Sequence, residues 1–271
     1  MENITVGFIG AGNMANCLIR GLLAEGLGHS SIIAADVDDG KLQALNSECG
    51  IRIADNQSIA DEANVIVLAV KPQMMESVCR GIVLNSDSGL VVSVAAGITV
   101  SLLRKWLGDN IAIVRCMPNT PALVGKGATG LYANEIVSSA QRIVAKSLMD
   151  SVGISVWVDN EIDIDTVTAV SGSGPAYFFL FMEAMQETAS ELGLSEDVAQ
   201  RIVYQTALGA AKLAIESEDT TSELRHKVTS PGGTTEQAIE TFEKNGLKAI
   251  VRRALIAAKK RSIELAESSN T

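Results

Sequence analysis

The chain has 271 residues, 47% of them apolar, and a formal net charge of −10. That length suits one large domain or two small ones, with enough apolar side chains for a sizeable core. The acidic balance argues against a nucleic-acid binder and against attraction to anionic membranes, while leaving room for a local basic pocket.

The first half alternates apolar runs with helical stretches. Residues 4–9, 32–35, 65–70, 90–95 and 111–116 are continuous apolar runs, as expected of strands buried on both faces. Helices are predicted between them over 14–25, 41–49, 74–83 and 100–107. This alternation implies parallel βαβ units in an open doubly wound sheet, an α/β fold. The pattern changes near residue 160. Residues 175–192, 196–216, 234–245 and 247–266 read as helices. Gly193 and Gly246 stand where helix ends are expected, and Ser195 suggests an N-cap. Two domains are expected: an α/β domain over 1–160 and an all-helical domain over 161–271. In the first of these helices Tyr177, Phe178, Phe179, Leu180, Phe181 and Met182 leave no polar face. A helix apolar all round is buried all round. A small helical domain cannot do that alone, so a homodimer through this domain is expected.

Cys17, Cys49, Cys79 and Cys116 fit neither a zinc-ligand spacing nor a Cys-x-x-Cys motif, and His29 and His226 are the only imidazoles. No metal site is predicted, and reduced thiols point to the cytoplasm. The start lacks a basic n-region and a cleavage site, so no signal peptide is predicted. The apolar run 176–182 falls far short of the roughly 20 residues of a membrane span.

Gly10-Ala11-Gly12-Asn13-Met14-Ala15 is a G-x-G-x-x-A loop between a predicted strand and a predicted helix, the context of a dinucleotide-binding turn. Gly10 permits the tight turn, Gly12 lets the backbone approach a pyrophosphate, and Ala15 lets the helix pack closely. The helix start then attracts the phosphates. Asp36 ends the second strand, where an acidic residue binds a ribose 2′-hydroxyl and repels a 2′-phosphate; otherwise it is a solvated turn residue beside Asp38 and Asp39. Ala69, Val70 and Lys71 end the third strand and are candidates for the cofactor crevice. Ala95-Ala96-Gly97 ends the next, with side chains small enough for a nicotinamide ring to lie against. Arg115-Cys116-Met117-Pro118-Asn119-Thr120-Pro121 makes a stiff loop in which Asn119 is a candidate partner for the nicotinamide amide.

Two segments interrupt the helical domain. Ser171-Gly172-Ser173-Gly174-Pro175 is a flexible or close-approach turn ahead of the apolar helix. Thr229-Ser230-Pro231-Gly232-Gly233-Thr234-Thr235 opens a helix with N–H groups and hydroxyls suited to a small carboxylate, or else is a capped interhelix loop. No Lys or His is well placed as a proton acceptor for a carbinol: His29 lies in a first-domain loop and His226 on a solvated helix. Reduction of a protonated imine fits better, because hydride quenches a charge already on the nitrogen and the protein mainly orients two reactants.

These segments, with Ala169-Val170 and Ala176-Tyr177 flanking the first of them, resemble the motifs of the pyrroline-5-carboxylate reductase family, in that family's order and over nearly the whole chain. The glycine loop is generic; the Ser171–Pro175 and Ser230–Thr235 segments are specific. The resemblance implies a Rossmann-like N-terminal domain, a C-terminal helical domain that dimerises, and dimers that often form decamers. It implies reduction of L-1-pyrroline-5-carboxylate to L-proline with NAD or NADP in reduced form. By position, Ala11, Asn13 and Met14 line the pyrophosphate, Asn56 and Lys71 the adenosine side, and Ala96 the nicotinamide. Ser230, Gly232, Gly233, Thr234 and Thr235 hold the substrate, with the Thr235 hydroxyl facing the ring nitrogen as the catalytic group; Glu161 stands near bound proline. Asp36 departs from the small hydroxyl residue of NADPH-using relatives, and Lys227 from an asparagine found in some. An imine or β-hydroxyacid reductase of the same architecture, or a non-catalytic dinucleotide-binding regulator, stands as the alternative.

Overall fold

The computed structural model describes residues 4–84 and 89–268. The chain forms two compact units. One runs to Ser173 and takes in residues from Ala257 onward; the other is Gly174–Ile256.

The first unit is a single eight-stranded sheet flanked by helices. In chain order its elements are β1 (Val6–Ile9), α1 (Asn13–Ala24), β2 (Ile32–Ala35), α2 (Asp39–Cys49), β3 (Arg52–Ile53), α3 (Asn56–Glu62), β4 (Val65–Leu68) and α4 (Pro72–Arg80). There follow β5 (Leu90–Ser93), α5 (Val100–Leu107), β6 (Ile113–Met117), β7 (Gly127–Ala133), α6 (Ser139–Asp150), β8 (Gly153–Trp157) and α7 (Asp163–Val167). The spatial order is β3-β2-β1-β4-β5-β6-β7-β8. Every neighbouring pair is parallel except β6 with β7. The first six strands thus follow the order of a dinucleotide-binding sheet, with the strand order reversing between β1 and β4. Strands β1, β2, β4 and β5 are buried at every residue, which explains their uninterrupted apolar sequences. One sheet face packs on Leu18, Leu22, Leu45 and Leu148, the other on Ile59, Met75, Leu102 and Leu103. Helix α1 shows why: Ala15, Leu18, Ile19 and Leu22 recur at three- and four-residue spacing and are all buried.

Three strands lie outside the sequence expectation: β3, β7 and β8. β7 reads GATGLYA and has no apolar run; it becomes a strand by pairing antiparallel with β6. Buried Asn134 helps set that reversal, accepting from the Ile113 N–H at 3.1 Å and donating to the Ile111 carbonyl at 2.9 Å. The segment before residue 174 was expected as a flexible or close-approach turn, and it is the latter. Residues Thr168–Gly172 form a π-helical turn, and a Cβ on Gly172 would sit 2.6 Å from the Met117 methyl.

The second unit contains α8 (Gly174–Glu191), α9 (Glu196–Glu216), α10 (Thr221–Lys227), α11 (Thr234–Lys244) and the first part of α12 (Leu247–Ser268), whose remainder belongs to the first unit. Gly193 and Gly246 adopt positive φ after α8 and before α12. Ser195 is the N-cap of α9, though its side chain makes no capping bond. Phe181 and Phe242 join α8 to α11, their ring centroids 6.0 Å apart. Most of the apolar surface of α8 is left uncovered by the chain itself: Phe178, Phe179 and Leu180 are 67%, 63% and 66% exposed. Ile202, Leu208, Leu213 and Ile215 are exposed along α9. Among the described residues no helix is long and apolar enough to cross a membrane.

Candidate active site

The glycine loop leaves β1 at the point where strand order reverses. Gly10 has φ +104°, and its N–H donates to the Ala35 carbonyl at 2.7 Å. A Cβ on Gly10 would lie 2.7 Å from the Ala69 carbonyl carbon and 2.8 Å from the Val70 nitrogen. The loop is therefore wedged between the carboxyl ends of β2 and β4, and only glycine fits. Gly12 differs. Its φ is −72°, open to any residue, and a Cβ there would meet nothing within 4 Å. It is the N-cap of α1, and no side chain caps that helix. Its first N–H groups are thus free to receive a phosphate. Ala15 is fully buried behind them.

A cavity of about 500 Å³ opens beside this loop. Gly10, Gly12, Asp36, Asn56, Ala69, Val70 and Lys71 line it, all residues expected for the cofactor. Ala11, Asn13 and Met14 belong to the same loop and helix start. Lys41, Asp55 and Met74 line the cavity too, and sequence reasoning passed them over. Two had a local signal: Asp55 accepts from the Ser58 N–H and caps α3, and Lys41 follows the Asp36–Asp38 turn at the start of α2. Asp36 is more than a solvated turn residue. Its Oδ2 accepts from the Ala11 N–H at 2.7 Å and its Oδ1 from the Asp38 N–H at 2.9 Å. Each oxygen keeps a lone pair for a ribose hydroxyl. The Lys41 backbone N–H and ammonium hold Asp38 below the usual carboxylate range.

Other expected residues lie elsewhere in the first unit. Ala96 is exposed at the carboxyl end of β5, between buried Ala95 and Gly97. The Asn119 amide is already engaged at both ends: Oδ1 accepts from the Ala128 N–H at 2.9 Å and Nδ2 donates to the Ser171 carbonyl and hydroxyl at 3.2 and 3.1 Å. It ties the start of β7 to the Ser171 turn, which accounts for an asparagine here without a ligand. Glu161 accepts from the Arg115 guanidinium at 2.9 Å and the Val100 N–H at 2.8 Å. Arg115 had no assigned role in the sequence, although a charge inside the strand IVRCM signals a buried partner.

In the second unit the Ser230–Thr235 segment joins α10 to α11. The donors expected of its glycines are used internally. The Gly232 N–H donates to Glu236 Oε2 at 2.7 Å, and the Gly233 N–H to the Ser230 carbonyl at 3.0 Å. The physical reason is that Glu236 lies in the first turn of α11 and reaches back to the residue ahead of the N-cap, Gly233. That leaves the Thr234 and Thr235 hydroxyls, which bond to no partner among the described residues, and the uncapped helix terminus behind them. His226 is exposed in the last turn of α10. Burial pushes the Cys79 thiol up to about 12 and raises Cys116 further, so neither is a nucleophile near neutral pH. Among the described residues no three His, Cys, Asp or Glu side chains gather as metal ligands.

Residues 161–265 match the family model for pyrroline-5-carboxylate reductase dimerisation, and residues 5–97 match that for NADP oxidoreductase, coenzyme F420-dependent. The chain is 50% identical to a pyrroline-5-carboxylate reductase of Pseudomonas aeruginosa over 98% of each. It superposes on a pyrroline-5-carboxylate reductase structure from Coxiella burnetii with a TM-score of 0.94, at 44% identity, covering 98% of this chain and 99% of that one. A Plasmodium falciparum pyrroline carboxylate reductase structure with NADP bound gives a TM-score of 0.84 at 30% identity, covering 98% and 99%. A doubly wound sheet with a glycine loop at its reversal point, a helical unit matching a dimerisation domain, and full-length identity of this order lead to one conclusion: the chain belongs to the pyrroline-5-carboxylate reductase family.

Proposed function

We propose that this protein reduces L-1-pyrroline-5-carboxylate to L-proline with NADH or NADPH. The observation that carries the reading is the open Gly12 cradle beside the cavity at the strand-order reversal, in a chain of this family. The cradle fits a dinucleotide: a Cβ would fill it, and an uncapped helix start stands behind it. When bound, the reduced nicotinamide supplies the hydride. Residues of the first unit hold it. Gly10, Ala11, Gly12, Asn13 and Met14 serve the pyrophosphate, Asp36 the ribose, Asn56, Ala69, Val70 and Lys71 the adenosine side, and Ala96 the nicotinamide.

In the second unit Ser230, Gly232, Gly233, Thr234 and Thr235 serve the substrate, its carboxylate drawn to the start of α11. The Thr235 hydroxyl bonds the ring nitrogen, and Glu161 belongs to the substrate end of the first unit. The nitrogen keeps its proton as its double bond becomes single, so no general base is needed. A turnover assay tests this: pyrroline-5-carboxylate-dependent oxidation of NAD(P)H with proline as product is expected, and cofactor binding without proline formation would sink the reading.

Asp36 makes cofactor choice testable. We expect Asp36→Ser to raise the NADPH-to-NADH ratio of kcat/KM by about tenfold, since removing a like charge beside a 2′-phosphate is a matter of about 1.4 kcal/mol. An unchanged ratio would leave Asp36 as a brace for Ala11 and Asp38 only. The uncovered faces of α8 and α9 support a homodimer, with decamers of five dimers as the larger form. Light scattering is expected to give the mass of two or ten chains at micromolar protein; a one-chain mass refutes the dimer. Four buried free cysteines support a cytoplasmic location.

A further inference from the structure

A buried polar cluster in the first unit is built around Arg115, which has no part in the reading above. Arg115 sits in mid-sheet on β6, in register with Ser93 of β5 and Tyr132 of β7. Its side chain is 4% exposed. The guanidinium meets Glu161 at 2.9 Å and Asp165 at 3.9 Å. Asp165, itself buried, accepts from the Ser262 hydroxyl of α12 at 2.7 Å. A charge so buried is costly unless its partners are complete, and among the described residues no buried side-chain nitrogen or oxygen lacks one.

The cluster grips one loop at both ends. Residues 95–100 run from the carboxyl end of β5 into α5. At the far end, the same Glu161 oxygen that holds Arg115 accepts the Val100 N–H at 2.8 Å, satisfying the first free donor of α5. At the near end Gly97, with φ +75°, lies against α12, and a Cβ on it would be 3.7 Å from the Ala266 nitrogen. Ser262 and Ala266 are one turn apart on one face of α12. Asp165 therefore holds the helix face on which Gly97 rests. Ala96, the residue assigned to the nicotinamide, is exposed immediately before the Gly97 anchorage.

We infer that Arg115 is a positioning residue for hydride transfer: through Glu161 and Asp165 it fixes the loop against which the nicotinamide lies. The inference rests on the proposed function, in particular on Ala96 as the nicotinamide contact. Hydride transfer needs the two carbons within near-attack distance, and a shift of about 1 Å costs about 10²-fold. The adenosine cavity shares none of these residues, so the cluster governs transfer and not cofactor affinity. Lysine cannot replace the fork that reaches two carboxylates.

The experiment measures single-turnover hydride transfer, the isotope effect from deuterated cofactor, substrate KM and the NADH dissociation constant. It uses full-length wild-type, Arg115→Met, Arg115→Lys and Ser262→Ala proteins. Arg115→Met is expected to transfer hydride about 10²-fold more slowly, with an isotope effect that comes to dominate turnover and an unchanged NADH dissociation constant. Arg115→Lys recovers part of the rate. Ser262→Ala shows the same signature more weakly. A purely structural cluster would lower thermal stability and leave the isotope effect of the folded fraction as in wild type; that result overturns the inference. Should Arg115→Met fail to fold, Ser262→Ala decides, and a wild-type transfer rate in it refutes the proposal. Wild-type protein that makes no proline would instead refute the proposed function, which the variants alone cannot do.

Discussion

A Gly12→Val protein is expected to fold as the wild type does and to bind NADH about 10²-fold more weakly, a loss of about 2.7 kcal/mol. Both halves follow from the loop. Gly12 has an ordinary φ, and the space around a Cβ there holds no protein atom within 4 Å. The added Cβ therefore meets no protein atom, and the side chain is expected to stand between the phosphates and the N–H groups at the start of α1. A charge-assisted hydrogen bond contributes about 1.5–3 kcal/mol, so blocking one or two accounts for the loss. Gly10→Val should behave differently. Its φ of +104° is strained for any side chain, at about 1–3 kcal/mol. Its Cβ would also overlap the Ala69–Val70 peptide, and overpacking adds about 1–3 kcal/mol. Gly10→Val thus loses thermal stability along with affinity. Calorimetric unfolding and fluorescence titration on the two variants separate the effects. A destabilised Gly12→Val, or a Gly10→Val of wild-type stability, would show that the loop is held in some other way.

The Thr235→Ala protein is expected to lose about 10²-fold in kcat while keeping its NADH affinity and its stability. Stability should hold because the Thr235 hydroxyl bonds to nothing among the described residues, so nothing buried is orphaned by its removal. Alanine is also the better helix former in the first turn of α11. The kinetic loss follows from removing the hydroxyl at the ring nitrogen, where charge is quenched and a lone pair develops during reduction. Thr235→Ser keeps the hydroxyl and should recover most of the rate. Steady-state kinetics with pyrroline-5-carboxylate read the outcome, and wild-type kcat in Thr235→Ala would remove this residue from the chemistry.

How much of this could be read from the chain depends on how far apart the interacting parts lie. β2, α5 and α9 have the ends the sequence implied, because burial on both faces or a long amphipathic repeat marks them continuously. β8 could not be seen so: it is an edge strand with Ile154 and Val156 exposed and only Ser155 buried. Helix α6 carried a signal that passed unused, the capping box of Ser138 with Gln141. The glycine loop was legible because its chemistry lies within six consecutive residues. Lys41 and Asp55 reach the same cavity only after three βα units have stacked beside each other. The Arg115, Glu161, Asp165 and Ser262 cluster joins β6, α7 and α12, and no local pattern announces such a meeting. The Gly232 N–H shows the opposite error, in which a run that reads as an anion nest is partly consumed by a glutamate of the following helix.

The return of α12 to the first unit bears on how the protein is made. A ribosome delivers the chain from the N-terminus, so all eight strands through Trp157 are available before any residue beyond 257 exists. Domains generally fold as they emerge, yet here Asp165 has no Ser262 and Gly97 has no Ala266 until the whole helical unit has been translated. The sheet can assemble early, but the loop beside its fifth strand takes its final shape last. A nascent chain therefore completes its glycine loop well before the loop beside its fifth strand.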